Sequence, residues 1–465
     1  MLAATNLPYP SWLNAGDNTW QLVAATLVGL MSLPGIAVLY GGLIQKKWIV
    51  NTMMMAFSGF AITLIVWVLW GYNMAFPTTF THLFGQKSGI FSAMIGTPWP
   101  TVSHTALQSQ ASAQAQTLVP WHFPTATLMY FQVVFAAITP LLFLGSLLGR
   151  MKFRAWVVFV PLWITFVYCI NAGLLWGGGF FALKGAVDYS GGYVIHLAAG
   201  VTGFVGAAIV GPRLKRDRGH AVPSNLMMVA VGAGILWMGW NGFNGGDPFY
   251  AGADAAAAVL NTNVATAVAL MTWVLMDMFL SKQKKPTFLG AINGMIVGLV
   301  AITPSAGWMN GWGAMLVGLI ASSVVWFAWN YLPKIRPFSK VDDALGVVYT
   351  HGIAGLLGGL MVGLFADPGM TEYGKGSNFS GGGSFSVGGY FYTGSMHQLW
   401  EQFLAAVWII VYTGIMSTIL FMVTKFICRG LRESDEVLEV GDLAIHDEEA
   451  FPVETFAERV TSLGR

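Results

Sequence analysis

Two histidines define the chemistry open to this sequence. His196 lies in DYSGGYVIHLAAG (188–200) and His351 in VVYTHGIAGLLG (347–358), each inside a long apolar, glycine-rich run. A histidine at bilayer depth is costly, so it normally faces a partner or a cavity and marks a pathway. Two of them, one in each half of the chain, predict a paired site. Metal catalysis would need a third or fourth ligand, and no HExxH motif or Cys/His cluster supplies one. The two cysteines, Cys169 and Cys428, sit in apolar or helix-end contexts that fit ordinary packing.

The histidines need a membrane around them, and the composition provides it. Of 465 residues, 55% are hydrophobic and 9% charged, far below the roughly 25% charged residues of a soluble domain. The net charge of +2 marks basic loops rather than a nucleic-acid face. Apolar runs predict eleven helices near 19–42, 49–75, 124–149, 154–177, 188–211, 223–244, 255–281, 287–306, 312–333, 344–366 and 399–428. Basic residues then orient them. Eighteen fall on one side, among them Lys46, Lys47, Arg150, Arg213, Arg216, Lys334 and Arg432. Only Lys87, Lys184 and Lys375 fall on the other. The expected topology has the N-terminus outside and the C-terminus inside. The first 16 residues lack a basic n-region, so no cleaved signal is expected. ALQSQASAQAQ (106–116) and the Gly/Ser-rich stretch 374–391 read as flexible external connectors.

Ten helices plus one divide into two sets of five, and an odd number per half inverts the second half. That arrangement places a site near the midplane. His196 and His351 then occupy equivalent helices, the fifth and the tenth. Helices one and six also correspond, and both are expected to be broken, by Pro34-Gly35 and by GWNGFNGG (239–246). The expected architecture is therefore an all-α integral membrane protein, with an inverted 5+5 repeat followed by one C-terminal helix. Its transmembrane domain covers 1–430, with repeat one at about 19–211, repeat two at about 223–366 and helix eleven at about 399–428. A cytoplasmic tail covers 431–465.

Six segments, in order, resemble the ammonium transporter family (Amt/Mep/Rh), Amt-type. They are SLPGIAVLYGGLIQKK (32–47), FQVVFAAITPLL (131–142), LLWGGG (174–179), DYSGGYVIHLAAGVTGFVGAAIVGPR (188–213), GWNGFNGG (239–246) and GLVAITPSAGW (298–308). The resemblance implies that His196 and His351 are the family's twin histidines, sharing a proton across a pore. In an apolar setting the charged imidazolium is disfavoured, so the pair should hold at most one mobile proton. It could take a proton from an ammonium ion and relay it while neutral ammonia crosses. Potassium has no proton to give up.

The same resemblance assigns Phe135 and Phe243 to a stacked gate and Trp176 to outer recruitment, where a cation over the indole gains roughly 0.5–2 kcal/mol. Ile138, Leu142, Leu236 and Val347 match its apolar pore lining. Tyr40, Gln132 and Thr303 match positions that line or brace the pore. Judged by type alone these residues would be assigned to packing, because the chain holds 19 Trp and 31 Phe. Asp188 reads both as the cap of helix five and as the family's buried support for the recruitment site. The chain departs from the family pattern twice. Asp247 replaces a common serine after GFNGG; a carboxylate there either strengthens cation capture or points into the loop and caps the helix near Asp254. Gly346 replaces a common aspartate five residues before His351, and Asp343 nearby has an open role.

The resemblance further implies a homotrimer in the cell (plasma or inner) membrane, ammonium or ammonia as substrate with methylammonium as a candidate, no cofactor and no enzymatic activity. The tail, GLRESDEVLEVGDLAIHDEEAF (430–451), resembles the family's cytoplasmic tail, which implies a PII-type regulatory partner; its composition alone also fits a solvated acidic terminus. Two alternatives remain of different kinds. One is an ammonium sensor signalling through a separate protein, since about 35 tail residues leave no room for a folded signalling domain. The other is a passive Rh-like ammonia channel.

Overall fold

The structure, a computed structural model, describes residues 10–112, 120–219, 222–370, 378–380, 383–384 and 387–452. Among these, ten helical segments are long and apolar enough to cross a membrane. They are α1 (Ala15–Leu43), α2 (Lys46–Ala75), α3 (Thr125–Leu147), α4 (Phe153–Lys184), α5 (Gly192–Val210), α6 (Leu226–Gly245), α7 (Ala253–Phe279), α9 (Gly311–Lys334), α10 (Val348–Phe365) and α11 (His397–Ile427). Between α7 and α9 lies α8 (Phe288–Ile302), apolar but only 15 residues long, about 22 Å of helix. It is shorter than the expected 287–306 because the chain turns at Thr303 and Pro304.

Helix starts follow local chemistry. Asn14, Asn225, Thr287 and Asn310 each accept hydrogen bonds from main-chain N–H groups of the first turn of α1, α6, α8 and α9. These groups have no partner inside the helix and no water in hydrocarbon, so the cap is the cheap solution.

Glycine lets the helices approach closely. The expected break in α1 is present as a π-helical turn, Met31–Gly35, around Pro34. The expected break in α6 is not: GWNGFNG forms its last two turns without interruption. Its glycines are a packing surface instead. A Cβ on Gly239 would lie 2.4 Å from Met31 Cβ, and one on Gly242 would lie 2.5 Å from the Ala24 carbonyl. The same logic crosses α5 with α10, where a Cβ on Gly200 would lie 2.2 Å from Gly352 Cα.

The connectors are more ordered than their composition predicts. Within ALQSQASAQAQ, a helix ends at Gln108 and Gln110–Ser112 pair antiparallel with Pro120–Pro124; residues 113–119 lie outside the described residues. Much of 374–391 also lies outside them, but Asn378–Ser380 pair with Gly383–Ser384 and Val387 is fully buried. The tail from Leu431 to His446 runs against the bundle. Lys152 N donates to the Leu431 carbonyl (2.8 Å), and Asp442 accepts from Val50 and Asn51 N–H at the start of α2 (2.8 and 2.9 Å). Residues 453–465 lie outside the described residues. Cys169 and Cys428 are both buried free thiols.

Candidate functional site

The two histidines meet. His196 Nδ1 lies 3.2 Å from His351 Nδ1, with ring centroids 5.3 Å apart and planes inclined by 27°. For two neutral rings, that contact requires one Nδ1 to carry the hydrogen and the other to accept it. Both rings are buried, and among the described residues His196 Nε2 has no hydrogen-bond partner.

Each histidine is presented by the same local device. His196 sits in a π-helical turn, Gly192–Leu197, and His351 in another, Val348–Ile353. Single π turns inside α-helices are rare and recur at functional sites. Ahead of each turn an aspartate gathers the free N–H groups. Asp188 accepts from Gly191, Tyr193 and Val194 N–H at 3.2, 3.0 and 2.9 Å. Asp343 accepts from Gly346, Val347 and Val348 N–H at 3.1, 3.1 and 2.9 Å. Both motifs turn at a glycine in the left-handed region, Gly191 (φ 112°) and Gly346 (φ 75°). The role left open for Asp343 is therefore a cap like that of Asp188, and Gly346 occupies a position that needs φ > 0. Burial pushes the Asp188 carboxyl up to about 6 against those N–H bonds. It raises Asp343 too, opposed by Val348 N–H and the Ser146 hydroxyl.

Aromatic rings stack over His196. Trp240 lies 5.4 Å from it at 19° and Phe243 5.9 Å away at 25°. Phe243 meets Phe135 at 4.4 Å and 37°, a tilted rather than parallel pair, and both rings are fully buried. Phe135 meets Trp176 edge-on at 6.2 Å. The Trp176 indole N–H donates to the main-chain carbonyl of Asp188 (2.6 Å). One residue thus caps α5 with its side chain and fixes Trp176 with its backbone. The Asp247 carboxylate accepts a hydrogen bond from the Ser190 hydroxyl.

The remaining expected residues divide between levels. Thr303 accepts from Trp240 Nε1 (2.9 Å) and donates to the Leu299 carbonyl, bracing the ring stacked on His196. Gln132, one turn before Phe135 on α3, is buried, and among the described residues its Oε1 has no partner. Ile138, Leu142, Leu236 and Val347 are buried apolar side chains. Tyr40 donates to the Leu142 carbonyl (3.2 Å), and Tyr40 and Val347 both crowd Gly145, far from Trp176. At that end the Asp342 carboxylate pairs with Arg213 (2.7 Å), beside the buried Arg150.

Two residues were missed in the sequence. Trp240 precedes Phe243 by three residues on α6, a spacing that puts both on one helix face. Ser190 is a small residue between Asp188 and two glycines, and nothing in its type marks it.

Comparison with known proteins gives the same answer along the whole chain. The profile described as "Ammonium Transporter Family" matches residues 19–451. Ammonium transporter 3 member 2 of Oryza sativa subsp. japonica is 44% identical over 459 residues, covering 96% of this chain and 92% of its own. Ammonium transporter 2 of Arabidopsis thaliana is 43% identical, covering 95% and 89%. The crystal structure of Saccharomyces cerevisiae Mep2 superposes with a TM-score of 0.77 at 28% identity, covering 92% of this chain and 89% of that one. This chain belongs to the ammonium transporter family.

Proposed function

We propose that the chain carries ammonium across a cell membrane by recruiting the ion at the Trp176 end, removing a proton, and passing ammonia between His196 and His351. The observation that carries this reading is the 3.2 Å Nδ1–Nδ1 contact beneath the phenylalanine pair. Trp176 and Asp247 attract the cation, Phe135 and Phe243 form the gate, and Asp188 supports the recruitment site. Below the gate the path is apolar, lined by Ile138, Leu142, Leu236 and Val347, with Tyr40 and Thr303 bracing it and Gln132 bracing the level above Phe135. A potassium ion would have to enter that section charged, at a desolvation cost that no partner there offsets.

In this reading α8 is an eleventh spanning helix, and α1–α5 and α6–α10 are inverted repeats. Three features support the repeat: the antiparallel crossing of α5 and α10, the shared capping device and the paired π turns. The Lys/Arg bias supports an orientation with the Trp176 end outside and the tail inside. A homotrimer and a PII-type partner at the tail follow from the family resemblance.

The test is ammonium-driven alkalinisation of proteoliposomes, with currents recorded on a supported membrane beside it. Wild-type protein should give rapid ammonia flux, the His196→Ala/His351→Ala double variant at least about 100-fold less, and a potassium jump no response. A sustained current would show that charge accompanies ammonia; flux without current would mark a neutral channel. A binding transient with no flux would instead favour an ammonium sensor.

A further inference from the structure

We propose that Asp247, held by Ser190, is the first proton acceptor for the incoming ion, so that ammonium is neutralised at the Trp176 mouth before it meets the phenylalanine pair. The inference rests on the ammonium reading above and names the base within it.

Geometry carries it. Asp247 lies one turn past Phe243, just beyond the end of α6. Its Oδ2 accepts from the Ser190 hydroxyl, and Ser190 is two residues from Asp188, whose carbonyl holds the Trp176 indole. Carboxylate and indole are thus both tied to residues 188–190, and the indole meets the gate ring of Phe135 edge-on. Among the described residues no donor occupies Asp247 Oδ1, and the residue keeps part of its surface open.

The surroundings favour proton uptake. The ionisable groups around this mouth are acids and phenols: Asp188, Tyr168 and Tyr189, with Tyr250 and Asp254 beyond Tyr189. Asp17, paired with His122 at 3.4 Å, holds the following loop through Ala251 N–H (2.9 Å). Dense packing around the carboxyl raises its proton affinity well above the ordinary range, Ser190 opposes that shift, and repulsion from Asp188 adds to it. This narrows the gap to ammonium itself. A serine at the same place could accept a hydrogen bond from the ion but could not take its proton.

The step balances. One N–H bond of ammonium breaks and its electron pair remains on nitrogen as the lone pair of ammonia. An O–H bond forms at Asp247 Oδ1. The protonated carboxyl then returns its proton to water on the same side, which regenerates the carboxylate.

Proteoliposome flux at saturating ammonium, measured across a series of outer pH values, tests the assignment with Asp247→Asn, Asp247→Ser and Ser190→Ala. Wild-type flux should fall on the acid side as Asp247 takes up a proton. Both Asp247 variants should lose about 100-fold in maximal rate, the usual scale for a general base, in addition to any rise in half-saturating ammonium from the lost charge. Ser190→Ala should move the acid limb up by about one pH unit, because a hydrogen bond to the charged form is lost. Infrared difference spectra of Ser190→Ala and wild type on ammonium addition should both show a protonated carboxyl band.

An Asp247→Asn variant that keeps its maximal rate and acid limb, and only raises half-saturating ammonium, would reduce Asp247 to electrostatic recruitment and overturn the proposal. If that variant does not assemble, an unmoved acid limb in Ser190→Ala overturns it equally. Wild-type protein with no ammonium flux would sink the ammonium reading and this inference together; flux with no acid limb would sink the inference alone.

Discussion

The stretch 188–200 and the stretch 343–355 build the same object at opposite ends of one bundle. In each, an aspartate gathers three N–H groups, a glycine three residues later turns at positive φ, and a histidine follows eight residues after the aspartate inside a π turn. Their surroundings differ. The first faces Trp176, the Phe135–Phe243 pair, Ser190 and Asp247. The second faces Ser146, Arg150, Arg213 and the packed tail. The difference separates two tasks. The repeated scaffold brings the two Nδ1 atoms together, while the unrepeated surroundings make one end of the bundle acidic and aromatic and the other rich in arginine.

The strongest way to break the comparison is to remove both caps. Asp188→Ala and Asp343→Ala each leave three main-chain N–H groups without an acceptor. Each should destabilise the protein by about 3 kcal/mol, the scale of stripping one partner from a buried polar network. Thermal unfolding in detergent measures this. The Asn variants, which keep one carbonyl oxygen, should recover part of the loss. If Asp343→Ala unfolds near the wild-type temperature while Asp188→Ala does not, the caps are alike in geometry only, and the second histidine is held by something else.

A subtler cut exchanges the turning glycines. Alanine at Gly191 or Gly346 must adopt positive φ, costing about 1–2 kcal/mol. The neighbours then differ. A Cβ at Gly191 would lie 2.6 Å from Ile195 Cδ1, and one at Gly346 would lie 2.0 Å from Trp329 Cζ3. Ile195 can change rotamer, whereas the indole of Trp329 is edge-packed on Trp273 and Tyr349. Gly346→Ala should therefore be the costlier by about 1 kcal/mol. Equal unfolding temperatures for the two variants would show that the indole yields as readily as Ile195.

How far the site was legible follows from which signals belong to a single residue. His196 and His351 stand out because histidine in an apolar run is rare, and Asp188 because a helix start wants an acceptor. Asp343 was legible as a candidate but not as a cap, because the family's aspartate is expected at Gly346, although the distance from Asp343 to His351 equals that from Asp188 to His196. The continuity of α6 was misread because glycine in a helix signals either a break or a close contact, and only the partner helix decides which. The contacts of Asp247 were illegible because Ser190 is 57 residues away in sequence. Ten of the helices announced themselves by length and hydropathy, whereas α8 ended early at Thr303 and Pro304.

Trp240 offers the finest test of the comparison, since it belongs to one motif only. It stacks on His196 and donates to Thr303; among the described ring contacts His351 has only His196. Trp240→Phe keeps a ring beside the imidazole and removes the indole N–H, so it should cost about 1 kcal/mol from one lost buried hydrogen bond. Thr303→Val removes the acceptor from the other side, and the double variant should cost less than the two single changes added, because both delete one interaction. Ammonia flux should fall about threefold to tenfold in Trp240→Phe if the indole fixes the orientation of His196, the scale that about 1 kcal/mol of misplacement allows. Unfolding temperatures that drop while flux stays at the wild-type level would place Trp240 in the packing of α6 against α8, and leave the orientation of His196 to the histidine contact and the Asp188 cap alone.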